Sequence, residues 1–301
     1  MNQTEMWPIA LAALQALGSH YRPVIGQTIA DLNLPAGCTA VLFPAFSFDP
    51  EPVTAEKIHI KGAYTAVSLF SQRLREAAGL GLMEEVENAE GAYRLTPSGR
   101  EAAAKIIQSA YECMRELQPL PHPEMEQLAA LLHRLADACL KAPPPPEKWC
   151  IQLSRRLDSG EDAHPLIRID QYLSDLAAYR DDAHLAAWRP LECSGQAWEA
   201  LTLLWREEAA TLDELCANLE RRGFSREEYR QALDGLIQRG WLQAAEERYI
   251  LTPLGRQIRQ MAEERTDAYF YAAWQCLSAE ELALLRSLLI RLRENLLSPA
   301  G

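Results

Sequence analysis

Between Ser225 and Arg256 the spacing of apolar side chains changes from helical to extended and back to helical. Tyr229, Leu233, Leu236 and Ile237, with Ala232 among them, fall on one face of a helix. Ser225 followed three residues later by Glu228 is a capping box that opens this helix, and Gly240 closes it, since glycine takes a left-handed conformation without steric cost. Two short extended runs follow, around Trp241-Leu242 and Tyr249-Ile250-Leu251, with Glu246-Glu247-Arg248 at the tip. Thr252-Pro253 then stops the second run and starts another helix, because proline fits the first turn of a helix but not the interior of a strand. The stretch therefore predicts helix, strand, tight turn, strand, helix.

The same pattern stands earlier in the chain. Leu95-Thr96-Pro97-Ser98-Gly99-Arg100 repeats Leu251-Thr252-Pro253-Leu254-Gly255-Arg256, and Gly81-Leu82-Met83 occupies the place of Gly240-Trp241-Leu242. Each copy also has shorter helical segments before it. In the first, residues 39–48 read as a helix that Pro44 must kink or shorten, Thr54 caps a short helix, Gly62 makes a turn, and Tyr64–Ala78 carries Val67, Phe70, Leu74 and Ala77 on its buried side. In the second, Ser194 caps a helix holding Trp198, Leu201, Leu204 and Trp205, a Thr211/Glu214 capping box opens the next, and Gly223-Phe224 turns into the helix at Ser225.

Helical periodicity extends through the remainder. Residues 5–17 read as an apolar helix ended at Arg22-Pro23, with a second short helix from Val24 to Leu34. Long helices are expected from Pro97 to about Leu117, over 124–140, and over 147–189 with a polar break at Asp158–Asp162. Pro143–Pro146 reads as a stiff extended connector, with a ligand for a proline-reading partner as the alternative. At the end of the chain, 253–275 and 278–296 form a helix pair whose second member is apolar on more than one stripe (Leu282, Leu285, Leu289, Leu292 and Leu296; Leu284, Leu288 and Ile290).

The duplicated LTPxGR segment, with a helix and a glycine-bounded hairpin before it in both places, resembles the MarR-like winged helix-turn-helix regulators. The resemblance covers residues 37–118 and 191–296. It implies a mainly α fold, with tandem winged helix-turn-helix modules bearing small β-hairpin wings and joined by a helical segment. The expected divisions are 1–120 for the N-terminal helices and first module, 121–190 for a helical connector with its Pro-rich linker, and 191–301 for the second module with dimerisation-type helices. It further implies a cytoplasmic transcriptional regulator that binds double-stranded DNA, responds to a small-molecule effector held between helical bundle and winged helices, and pairs either as a homodimer or as an intrachain pseudo-dimer. Trp149, Trp188, Trp198, Trp205, Tyr269, Phe270, Tyr271 and Trp274 either line that cavity or pack the core.

Reading helices should present groups that hydrogen-bond base edges or phosphates. In the first module these are Lys61, Tyr64, Ser68, Ser71, Gln72 and Arg75, and in the second Arg221, Arg222, Arg226, Arg230 and Gln231, with Arg94 and Arg248 on the wings. A solvated helix face is the alternative for the first set, and an intrahelical pair such as Arg230 with Asp234 for the second. Neither wing reproduces the aspartate and arginine pair that such wings carry near the tip.

Charge argues against this reading. The formal net charge is −12, whereas affinity for phosphate comes from lysine and arginine. Locally the balance is neutral: residues 54–105 hold seven Lys+Arg against seven Asp+Glu, and residues 225–256 hold five against five. A non-DNA-binding adaptor that uses winged helices to contact proteins is therefore the alternative function. Composition, 48% apolar and 24% charged, is that of a folded protein. There is no run of eighteen apolar residues, and the start of the chain lacks the basic region and cleavage site of a signal peptide. The seven cysteines form no CxxC pair, and His164, Asp181, Asp182 and His184 lack HxxxH or HxxE spacing, so neither metal nor cofactor is expected. With no glycine-rich phosphate loop and no nucleophile elbow, the chain does not read as an enzyme.

Overall fold

The computed structural model describes residues 3–298, which are mainly helical with two small antiparallel hairpins. In chain order the helices are α1 (Met6–Asp31), α2 (Thr39–Phe48), α3 (Ala55–His59), α4 (Val67–Gly79), α5 (Pro97–Glu116), α6 (His122–Lys141), α7 (Trp149–Arg155), α8 (Pro165–Trp188), α9 (Gly195–Trp205), α10 (Leu212–Asn218), α11 (Arg226–Gln238), α12 (Pro253–Ala272) and α13 (Ala279–Leu297). Strands β1 (Met83–Glu85) and β2 (Tyr93–Leu95) form one hairpin, and β3 (Leu242–Ala245) and β4 (Arg248–Leu251) the other.

The two hairpin units are held by the same bonds. Thr96 and Thr252 each cap the following helix, accepting from the amides of Gly99 and Gly255, and each donates its hydroxyl to the carbonyl of Gly81 or Gly240 at 2.6 Å. Backbone amides of Thr96 and Thr252 reach the carbonyls of Leu82 and Trp241 at 3.0 Å in both units. The chain just before the second helix bridges to the wing in each case, through Val53 with Tyr93 and through Thr211 with Arg248. Close approach explains the glycine of LTPxGR. A Cβ on Gly99 would stand 1.9 Å from the Leu82 carbonyl oxygen, and one on Gly255 2.1 Å from that of Trp241.

Two apolar cores result. One belongs to the first unit, where Val41, Phe48, Ile58, Phe70, Leu74 and Ile106 are buried together. The other is continuous from α1 through α6 and α8 to the second unit and α13. Leucines 282, 285, 288, 289, 292 and 296 of α13 are buried among the residues of this core, and α13 packs on α1 and α6 of the same chain, so these stripes are covered without a partner subunit.

One predicted break does not occur. Pro23 lies inside α1, which runs on to Asp31 as a single helix where two were expected. A proline within a helix costs about 3 kcal/mol. Here α1 lies against α5, α8 and α13 and buries Leu17 before the proline and Ile29 after it, which outweighs the lost bond. Pro44 is likewise accommodated within α2.

Candidate nucleic-acid interface

In the second unit, Thr211/Glu214 and Ser225/Glu228 both form complete capping boxes, which fix the starts of α10 and α11. A 3-10 turn at Glu220–Arg222 and Gly223, at φ +77°, join the two helices. Tyr229, Leu233 and Leu236 anchor α11 on its buried side. That leaves Arg226, Glu227, Arg230, Gln231 and Asp234 open to solvent, as the helical spacing predicts.

Most of the basic groups on this face are matched internally. Arg226 forms an ion pair with Asp213 of α10. Arg230 pairs with Glu227 at 3.1 Å, which also accepts from Gln231 at 3.3 Å, so the carboxylate that answers Arg230 is Glu227 and not Asp234. Arg221 and Arg248 are exposed and, among the described residues, make no hydrogen bond or ion pair through their side chains. Of the candidate contacts in this unit they are the cations most available to a polyanion.

Arg222 is placed differently from the expectation of a phosphate contact. Its guanidinium is held by Glu199 of α9 and lies 5.9 Å from the Tyr64 ring centre. Its carbonyl accepts the amide of Ala66 at 2.8 Å. Tyr64 is also corrected: it precedes α4, is half-buried, and its hydroxyl accepts from the Trp188 indole at 2.9 Å. Both residues join the two units to each other, because the helix before α4 ends early and the chain from Lys61 to Ala66 is a turn packed on the second unit.

On α4, Ser68, Gln72 and Arg75 are exposed, and Arg75 has no hydrogen bond or ion pair among the described residues. Ser71 donates to Val67 of its own helix and Gln72 to Glu76. Lys61 is exposed and lies in the field of Asp181 and Asp182. Arg94 of the first wing pairs with Glu84 directly across the hairpin at 2.7 Å. Glu85 folds back to accept the Gly91 amide at 2.9 Å.

Residues 157–300 match the model of a helix-turn-helix family. The match contains α8 to α13 and so includes the whole capped α10-turn-α11 unit. Comparison with curated proteins and with solved structures returns no match. No helix among the described residues is long and apolar enough to cross a membrane.

Behind this surface lies a charged network that sequence periodicity alone underplayed. A cavity of about 370 Å³ lies where α1, α8, α9 and α12 meet. On its wall Arg259, 1% exposed, lies over the rings of Trp198 and Trp205 at 5.1 and 4.8 Å and bonds Glu263 and Thr202. Desolvation lowers its pKa, which Glu263 partly opposes. Arg180 pairs with Asp267 at 2.9 Å. His184 accepts from the Trp198 indole through Nε2 and faces Thr266 through Nδ1, and burial holds its pKa down at about 4. Glu199 sends one oxygen to Arg222, while its other oxygen is buried without a partner among the described residues. The spacing of Arg259, Ala262, Thr266 and Phe270 along one face of α12 was the available signal for a buried arginine.

Of the aromatic residues considered for an effector cavity, only Trp198 lines this one among the described residues. Trp188 stacks on Trp198 at 5.8 Å, and Phe270 and Trp274 are fully buried in the core. The four polar residues considered as metal ligands are separated by role. His164 caps α8, Asp182 accepts the amides of Cys150 and Ile151, His184 holds Trp198, and Asp181 lines the cavity, where desolvation raises its pKa to about 6.

Proposed function

We propose that the chain is a DNA-binding transcriptional regulator of MarR-like winged-helix type, built as a tandem of two modules, in which the second module makes the DNA contact. The carrying observation is the open face of α11, where Arg226, Arg230 and Gln231 project from a doubly capped helix-turn-helix unit. Arg221 and Arg248 flank it at the turn and the wing, and a helix entering the major groove needs such flanking phosphate contacts to fix its register. The match of residues 157–300 to a helix-turn-helix family supports the same unit. In this reading the first module is the structural half of an intrachain pseudo-dimer, since the start of α4 is packed on the second module and the first wing is acidic. The output is contact with a macromolecule and not catalysis, and ligand binding modulates it.

A mobility-shift series with random-sequence and genomic duplexes at several salt concentrations tests this. The expected result is a specific complex whose affinity falls with salt. Arg226→Ala with Arg230→Ala should remove it while leaving thermal unfolding unchanged. The self-pairing of the arginines on α11 and the net charge of −12 favour a second reading, an adaptor that contacts proteins. Absence of any shift at low salt with folded protein would select it.

A further inference from the structure

A separate cavity of about 360 Å³ lies between α2 and α5 of the first unit on one side and α7 and α8 on the other. That size suits a small organic ligand. Its walls are largely apolar, with Phe43, Ile107, Met114, Leu153 and Ile167 among them. One carboxylate lines it, Asp170 of α8, whose Oδ1 accepts from the Tyr21 hydroxyl at 3.1 Å.

Neighbouring carboxylates of α8 are well matched. Asp175 receives Ser154 at 2.6 Å, Gln171 at 2.8 Å and the Arg155 guanidinium at 3.1 Å. Asp182 receives two backbone amides, at 2.8 and 3.0 Å. Asp170 has the single neutral donor and, among the described residues, no cation in ion-pair contact. The charged and titratable groups facing it are Tyr21 and Arg22 from α1 and Tyr111 from α5, with Arg22 acting only at longer range. Lys61 lines the cavity too, but it is exposed, makes no ion pair among the described residues, and is not among the groups that act on Asp170. Burial pushes the Asp170 carboxyl up to about 6, so it is ionised at neutral pH. A half-buried anion facing an apolar cavity without a countercharge is unfavourable, and a cation delivered with apolar surface relieves it.

We propose that this cavity binds an amphipathic organic cation, with its ammonium group against Asp170 and its apolar body between Phe43 of α2 and Ile107 of α5. An anion would meet Asp170 unfavourably, and a neutral molecule would leave it unpaired. The occupant would wedge the first unit from α8 and so shift it relative to the second. Binding itself is independent of DNA contact; only this regulatory consequence rests on the proposed function.

The test is calorimetric titration of the full chain with benzyltrimethylammonium, with its neutral isostere neopentylbenzene and with phenylacetate. The cation should bind one per chain, at least tenfold more tightly than the neutral probe, and phenylacetate should not bind. Asp170→Asn should weaken the cation at least tenfold and leave the neutral probe unchanged, and Ile107→Trp, which fills the cavity, should remove both. Absence of cation binding to folded wild type, or equal binding by Asp170→Asn, overturns the proposal. Should Asp170→Asn fail to fold, cation binding that survives in folded Ile107→Trp overturns it equally. A mobility shift with and without the cation separates the consequences. Unchanged DNA affinity with the cation bound removes the regulatory role alone, and no DNA complex in either condition removes the regulator reading alone.

Discussion

The backbone amide of Ala66 donates to the carbonyl of Arg222 across 2.8 Å, tying the entry to α4 to the turn between α10 and α11. Gly223, next to that carbonyl, sits at φ +77°, and a Cβ there would stand 2.9 Å from Cβ of Leu69 on α4. The turn that orients α11 is thus also the seat of the first unit. Gly223→Ala combines left-handed strain with this collision, whereas Gly240→Ala has φ +72° and nothing within 4 Å of the new methyl. Left-handed strain alone costs about 1 kcal/mol. Urea unfolding should therefore show Gly223→Ala to be the more damaging by about 1–2 kcal/mol; equal losses would mean that Leu69 gives way to the new methyl without cost.

The glycines of the two LTPxGR segments face a harder constraint, because the atoms in the way are backbone. Neither the Leu82 nor the Trp241 carbonyl can move without breaking its bond to the Thr96 or Thr252 amide. Gly99→Ala and Gly255→Ala should each cost about 3 kcal/mol or more. Denaturant midpoints should fall by similar amounts in the two variants. A loss in one variant only would show that the two hairpins are not held alike.

What the sequence disclosed follows from which interactions are local. Capping boxes, the Thr-Pro helix starts and glycine-ended helices act within a few residues, so α11, α12, α13 and both hairpins were legible with their caps. Pro23 misled because the cost of a proline is local while the packing that outweighs it comes from α5, α8 and α13. Tyr64 misled for the same kind of reason. Its position continues the helical face of α4, but Trp188, far along the chain, holds it in the junction between the units. The outward arginines of α11 were read correctly as exposed, whereas the partnership of Arg226 with Asp213 depends on how α10 meets α11 and has no sequence signature.

His184 should make stability depend on pH. Its Nε2 accepts the Trp198 indole N–H at 3.2 Å, and Arg259, Arg180 and Arg206 act on it, with Glu263 4.0 Å from Nδ1 opposing them. The folded state holds the ring neutral down to about 4, while in the unfolded chain it binds a proton below about 6.5. Between those values the unfolded state carries the extra proton, so the contribution of His184 to stability is lost as pH falls through that window. Asp170 and Asp181, both raised to about 6 by burial, act with the opposite sign in the same range. The readout is therefore the difference between wild type and His184→Gln. From pH 7 to pH 4.5 wild type should lose roughly 2–3 kcal/mol relative to the variant. A difference that stays flat with pH would mean that His184 is readily protonated in the folded state.

Asp213 offers the most direct probe of whether α11 meets DNA. Its side chain and that of Arg226 are each more than half exposed, at 77% and 53%. An ion pair so open to water contributes at most about 1 kcal/mol to folding. Asp213→Asn should therefore leave the unfolding midpoint nearly unchanged. Its effect on a polyanion would be larger, because the substitution removes a negative charge from the approach face and frees Arg226 to replace a counterion on a phosphate. One additional phosphate contact steepens the dependence of log affinity on log salt by about 0.9. Mobility shifts from 50 to 200 mM salt should then show the variant binding about tenfold more tightly at the low end, with the advantage shrinking as salt rises. Adding Arg226→Ala to Asp213→Asn should cancel most of that gain, since the arginine is what the substitution releases. A variant with unchanged affinity and unchanged salt slope would place Arg226 outside the interface, even if the protein binds DNA by another face.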